Sequence, residues 1–279
     1  MKKEQLSHLK QMALKVREHC IRIAGRGGAF AGSALSCTDL MVYLYGQFLS
    51  CNPTDPGRDY CFLSKGHAVP ALYGTLAEIG VLPKERLSAH LSITDNIYWH
   101  PNKNIPGVEF HSGSLGHILP VAAGVALDCK LREQGNRVAV ILGDGELNEG
   151  SNWEACLLAS ACKLDNLIII IDRNRLQANK KTEELVPLEP LEAKFRAFGL
   201  STETVDGHDF ERIDEIFFRI PLEHNRPTAI IAETLRGKGV PSIESRADRW
   251  FCNFSDEEVE LIVKELRDTA AVQTGETPQ

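Results

Sequence analysis

Asp144 and Asn174, thirty positions apart, are the residues in this chain best placed to do chemistry together. Asp144 lies in Gly143-Asp144-Gly145-Glu146-Leu147-Asn148-Glu149-Gly150, and Asn174 closes Asp172-Arg173-Asn174. Each follows an apolar run that reads as a strand, and one crossover helix fits between them. That spacing brings a carboxylate and an amide oxygen to the same edge of a parallel sheet. Magnesium takes hard oxygen ligands in near-octahedral geometry, with one or two carboxylates and the rest from phosphate and water. The pair therefore suits a divalent cation gripping a diphosphate, with the backbone carbonyl of Leu176 as a third oxygen. Gly143 and Gly145 let the backbone approach a ligand closely. A helix opening near Glu149 would offer free N–H groups to an anion. An Asp-Gly turn followed by an Asx turn is the bland alternative, but the strand before each end and the helix between them favour a site. No G-x-G-x-x-G follows a first strand and no G-x-x-x-x-G-K-[ST] occurs, so metal and backbone must hold the phosphate.

The elements that must position these residues follow from periodicity. Helical patterns cover Gln5 to Ile23, Thr38 to Phe48, Ala68 to Ile79, Lys84 to Leu91, Leu115 to Leu131, Glu149 to Ala161, Phe210 to Phe218 and Asp256 to Arg267. Strands are expected at Tyr60 to Leu63, Arg137 to Leu142, Asn166 to Ile171, Ser201 to Val205 and Thr228 to Ala232. Their β-branched runs are continuous, which marks strands buried on both faces. Strands alternating with helices imply an α/β fold, a doubly wound, mostly parallel sheet with helices on both faces. Ligands of such sheets bind beyond the carboxyl ends of the strands. The whole chain, 1–279, reads as one domain, with an N-terminal helical segment over 1–55 and a frayed tail over 268–279.

Composition narrows the classes. A net charge of −7 leaves no basic footprint for nucleic acid or an anionic membrane. No apolar run approaches the roughly 20 residues that span a bilayer. Leu6, Leu9, Met12, Ala13 and Val16 recur at helical spacing, so the first segment reads as a packing helix rather than a signal peptide, and a cytoplasmic location is expected. Eight cysteines form no C-x-x-C pair and are expected as reduced thiols.

Several further motifs run in order along the chain. They are Ser64-Lys65-Gly66-His67, Trp99-His100-Pro101, Pro106-Gly107-Val108-Glu109, Gly113-Ser114-Leu115-Gly116, Trp153-Glu154-Ala155, Asp206-Gly207-His208-Asp209 and Gly237-Lys238-Gly239-Val240. Together with the Asp144 and Asn174 segments they resemble the transketolase family over nearly the whole chain. A full-length member has more than twice this length. The chain thus resembles the N-terminal, diphosphate-binding subunit of a split transketolase. The resemblance implies thiamine diphosphate, held through Mg2+ (or Ca2+ or Mn2+), and transfer of a two-carbon ketol unit between a ketose and an aldose, as free sugars or phosphates. It implies Asp144, Asn174 and the Leu176 carbonyl as metal ligands. His67 would sit at the diphosphate or the substrate channel, and His100 would face the thiazolium. Gly113, Ser114 and Leu115 would pack against the aminopyrimidine, and Glu149 would lie near the subunit contact. His208 is expected to fix a loop, and His19 and His90 to lie at the surface.

Two departures from the family pattern stand out. Phe30 and Phe251 occupy positions where the family usually has histidine facing the substrate. Phenyl for imidazole removes a hydrogen-bonding group and adds apolar surface, so an atypical sugar substrate is expected. The family's activating glutamate belongs to a pyrimidine-binding domain that nothing here resembles. A C-terminal partner subunit is therefore expected to supply it, in an assembly of two copies of each chain. A decarboxylating synthase of the deoxyxylulose-phosphate type and a non-catalytic diphosphate or nucleotide binder are the alternatives.

Overall fold

The structure, a computed structural model, describes residues 1–52, 54, 55 and 57–274. The first part is helical: α1 (Lys3–Ala24), α2 (Ala31–Ser36) and α3 (Thr38–Tyr43), with a π-helical turn at Leu44–Phe48. Then come β1 (Tyr60–Leu63), α4 (Val69–Glu78), α5 (Ile118–Leu131), β2 (Val138–Gly143), α6 (Gly150–Ala161) and β3 (Leu167–Arg173). A small hairpin, β4 (Leu176–Gln177) and β5 (Lys180–Lys181), leads to α7 (Thr182–Leu185) and α8 (Leu191–Ala197). The chain continues through β6 (Ser201–Asp206), α9 (Phe210–Phe217), β7 (Thr228–Glu233) and α10 (Asp256–Thr274).

Five strands form one parallel sheet in the order β1-β2-β3-β7-β6. Alternate residues of each strand enter two separate cores. Ala139, Ile141, Ile168, Ile170 and Ile230 face α1 to α4, α9 and α10. Val138, Val140, Ile169, Ile171 and Ile231 face α5, α6 and α8. Ile168 to Ile171 are fully buried, each contributing roughly 1.5–3 kcal/mol by burial. A strand that must satisfy both faces has no polar alternation, which is why its pattern is a continuous apolar run. The expected doubly wound α/β sheet with helices on both faces is what forms.

Local departures from the sequence reading have physical causes. The helix expected from Leu115 starts at Ile118, because Gly113 and Gly116 take φ of 141° and 82° and cannot belong to a right-handed helix. The pattern over Thr38 to Phe48 is α3 followed by a wider turn. α2 has no apolar periodicity to reveal it. It forms where all six of its residues, five of them small, are buried. α10 continues to Thr274 instead of stopping at Arg267, since the alanine-containing stretch beyond holds no helix breaker. Of the tail expected over 268–279, residues 275–279 lie outside the described residues. All eight cysteines are free thiols, six of them buried. No helix among the described residues is long and apolar enough to cross a membrane.

Candidate functional site

Gly143 of β2 pairs in register with Asp172 of β3, so the segments that follow leave the sheet side by side. Asp144 is buried beyond the tip of β2. Its Oδ1 accepts the Gly145 amide at 2.7 Å, and its Oδ2 accepts the Arg175 amide at 2.7 Å and Arg173 Nη1 at 3.0 Å. The backbone just past Asn174 is thereby tied to the Asp144 carboxylate, which makes the two residues neighbours. Burial raises the Asp144 pKa, the Asp172 charge adds to that, and Arg173 opposes both. Gly145 is needed here, because a Cβ at this position would come within 2.7 Å of the Gln177 side chain.

Asn174 is held by Asp172. Its Nδ2 donates to Asp172 Oδ2 at 2.8 Å, while its Oδ1 accepts the Leu176 amide at 3.1 Å. An ionised carboxylate can only accept, so Asp172 fixes the amide with nitrogen toward itself and oxygen away. Asp172 also takes Ser36 Oγ at 2.6 Å, the Thr234 hydroxyl and the Lys65 ammonium. Burial opposes both charges of the Lys65–Asp172 pair, but their mutual attraction outweighs it, lowering the Asp172 pKa and raising that of Lys65.

Arg236, beyond the tip of β7, adds a buried cation. It donates to the carbonyl of Leu176 at 2.7 Å and to that of Ala178. Its Nε is buried without a partner, and no carboxylate pairs with it among the described residues. Burial lowers its pKa, while Asp144 and Asp172 raise it. A buried cation with an orphaned donor and no paired carboxylate is suited to an anion. The Leu176 carbonyl, one of the expected metal ligands, has one lone pair engaged by Arg236 and one remaining.

Oxygen donors from a carboxylate, an amide and a carbonyl fit a hard divalent cation, and Arg236 fits a phosphate. Among the described residues no cluster of three His, Cys, Asp or Glu side chains forms a metal site of the usual kind. A mixed donor set of this sort leaves the remaining positions of a divalent cation to phosphate oxygens or water.

His67 and His100 both lie beside the Phe30 ring. His67 Nε2 lies 2.9 Å from Ser33 Oγ, and burial lowers its pKa to about 3, with Lys65 adding to the effect. His100 is exposed, though desolvation still lowers its pKa. Gly113 gives His100 its place, since a Cβ there would meet the imidazole at 2.7 Å. Ser114 is exposed and Leu115 half-buried at the same turn.

Phe30 stands between these rings. Its centroid is 5.6 Å from His67, 6.3 Å from His100, 4.9 Å from Trp250 and 5.2 Å from Phe251. The Phe30 and Phe251 segments meet because Ala29 and Cys252 exchange two backbone hydrogen bonds of 2.8 Å.

Glu149 is set apart. It is exposed, with its Cβ against Gly116. The helix expected to open near Glu149 does so: α6 starts at Gly150 with Glu149 at its N-cap, after a 3-10 turn over Gly145–Asn148. The buried acid of this turn is Glu146. It accepts Ser64 Oγ, the Gly116 amide at 2.9 Å and the Gly143 amide at 3.2 Å, tying β1, β2 and the turn before α5 together. His208 bonds Asp39 and the Leu235 amide, each at 2.8 Å. His90 is buried instead of exposed, with Nε2 donating to the Gly28 carbonyl at 3.0 Å. His19 is half-buried and bonds Glu78 at 2.8 Å.

The low His67 pKa sets an expected pH dependence. The unfolded chain binds a proton at this residue near its ordinary value of 6.5, and the folded chain does not. Stability is therefore whole above that value and falls as pH drops below it, by about 2 kcal/mol between about pH 7 and pH 5. His67→Gln should remove this part of the slope in denaturant titrations. An unchanged slope would show that the imidazole is solvated.

The sheet and its tips define an α/β protein with buried oxygen donors and a buried cation gathered at the carboxyl ends of its strands. The family described as transketolase, thiamine diphosphate binding domain, matches residues 19–270. The chain belongs to the transketolase family. It is 38% identical to one subunit of the apulose-4-phosphate transketolase of Actinobacillus succinogenes, over 86% of this chain and 88% of that one. It is 33% identical to the 6-deoxy-6-sulfo-D-fructose transketolase subunit SqwG of a Clostridium species, over 96% and 99% of the two chains. The crystal structure of Campylobacter jejuni transketolase superposes with a TM-score of 0.85 at 26% identity, covering all of this chain and 44% of that one. The chain thus spans most of the length of two relatives named as subunits, and under half of a single-chain transketolase.

Proposed function

We infer that this chain is the diphosphate-binding subunit of a two-subunit transketolase, a thiamine-diphosphate-dependent transferase of ketol units. The observation that carries this reading is the pairing of Asp144 and Asn174 at neighbouring strand tips, with the Asn174 oxygen turned away from Asp172. Asp144, Asn174 and the Leu176 carbonyl would hold the divalent metal, and Arg236 and Gly145 would meet the diphosphate. Gly113, Ser114 and Leu115 would pack against the aminopyrimidine. When bound, the thiamine group supplies the carbon that carries the two-carbon unit. The chain's own residues place it. His67, kept neutral by burial, offers a hydrogen bond without adding charge. His100 presents an imidazole to the donor sugar, and Glu149 belongs to the contact with the second polypeptide.

Phe30 and Phe251 support a sugar that differs from the common pentose and hexose phosphates. They form an apolar wall where imidazoles would bond hydroxyl groups. The two relatives above are named for apulose 4-phosphate and for 6-deoxy-6-sulfo-D-fructose, which agrees with that expectation.

The reading requires a second polypeptide with the pyrimidine-binding domain and its activating glutamate, in an assembly of two copies of each chain. Purified alone, the chain should give no ketol transfer. Mixed with such a partner it should transfer two-carbon units in a thiamine diphosphate- and magnesium-dependent way. Turnover by the isolated chain would overturn the two-subunit reading.

A further inference from the structure

A second cavity, of about 610 Å³, opens between α1, α10 and the loop after β7. Lys3, Lys10 and Arg17 follow one another at seven-residue spacing, which places them along one face of α1. Lys238 and Arg267 join them at the cavity wall. Five cations thus surround one acid, Asp39, in a chain whose net charge is −7. Asp39 is already engaged: Arg17 Nη2 lies 2.6 Å from its Oδ2, and His208 Nδ1 lies 2.8 Å from it. Arg267 is occupied by both oxygens of Glu18. Lys3, Lys10 and Lys238 pair with no carboxylate among the described residues. Grouped like charges between low-dielectric walls focus a positive potential. Leu14 and Leu266 add apolar lining. A cavity of this size suits a small metabolite.

We propose that this cavity binds a small phosphate-bearing molecule, with Lys3, Lys10 and Lys238 receiving the phosphate and the apolar lining taking its body. The site is separate from the cleft at the strand tips but shares a wall with it. The loop after β7 forms one side of the cavity, where Arg17 Nε donates to the Lys238 carbonyl at 3.0 Å and the Leu235 amide donates to His208. Between those two anchors the same loop carries Arg236, which reaches the Leu176 carbonyl.

The test uses the full chain with thiamine diphosphate and magnesium in excess, so that the cleft at the strand tips is taken. Inorganic phosphate is the probe, and thermal unfolding is compared with chloride at equal ionic strength. Phosphate should raise the Tm of the wild-type chain above the chloride control, with the rise becoming linear in the logarithm of phosphate concentration above Kd, as for a ligand of the native state. In Lys10→Glu/Lys238→Glu the apparent phosphate affinity should fall at least tenfold, while Tm in chloride stays close to wild type. Lys10→Gln/Lys238→Gln should lose affinity in the same direction and guards against an effect of the introduced acids. Absence of a phosphate response beyond chloride in the wild type, or a response in both double variants equal to that of the wild type, overturns the proposal.

Discussion

Asp144→Ala should abolish measurable binding of thiamine diphosphate in the presence of magnesium. Losing a residue that merely supports a metal ligand typically costs about 10–100-fold in affinity. Losing the sole carboxylate of the donor set should cost more than that. The substitution also strips acceptors from the Gly145 and Arg175 amides and from Arg173 Nη1. Arg173 keeps Glu183 and Glu189 through its other nitrogen, so its charge remains compensated. Asp144→Asn is the control for most of this collateral loss, because its one amide oxygen can still accept from Arg173 and Arg175 at the Oδ2 position, only the Gly145 bond being lost. Calorimetry should show the affinity lost in both variants, with the Ala chain the less stable of the two. Cofactor binding that survives Asp144→Asn at wild-type strength would remove the carboxylate from the metal site.

Asp172→Asn is expected to have the second-largest effect, and it acts in two separable ways. Lys65 and Asp172 are both essentially inaccessible. Neutralising the acid leaves a buried ammonium uncompensated, at about 3–5 kcal/mol. Lys65→Met together with Asp172→Asn removes both charges and should recover most of that stability, a coupling that a double-mutant cycle would measure. Metal presentation should not recover with it. The carboxylate that dictates the direction of the Asn174 amide is gone in both variants, so affinity for magnesium in the presence of thiamine diphosphate should fall at least about tenfold in each. If the stable double variant bound metal as tightly as the wild type, Asn174 would be shown to orient itself without help.

What the sequence made legible was whatever depends on short-range pattern. Ile168 to Ile171 could only be a strand buried on both faces, and the thirty-residue interval to its partner followed from one helix. That placed Asp144 and Asn174 together. Arg236 carries no motif, and Asp172 stands in its motif without a role, because the importance of each is a property of neighbours distant in sequence. The one signal was position: each charged residue stands at or just beyond the end of a buried strand, at the edge where ligands bind. Glu146 stands in the turn between β2 and α6, where the sequence does not show that its side chain is buried. The hairpin, α7 and α8 were missed because Pro187 and Pro190 interrupt a short, charged stretch with no clear period. The second cavity depends on α1 and α10 lying side by side, which no local pattern encodes.

The bridge between Ala29 and Cys252 bears on biogenesis. One strip of the wall emerges early from the ribosome, and the strip that completes it emerges only after the whole sheet has been translated. Until then Phe30 lacks the Phe251 ring it packs against, and an apolar edge faces water. Such late-closing contacts are slow to form and leave intermediates prone to stick to one another. Chaperone dependence during synthesis should therefore concentrate in the interval before residue 252 is released, and the second polypeptide can meet a finished cleft only after that.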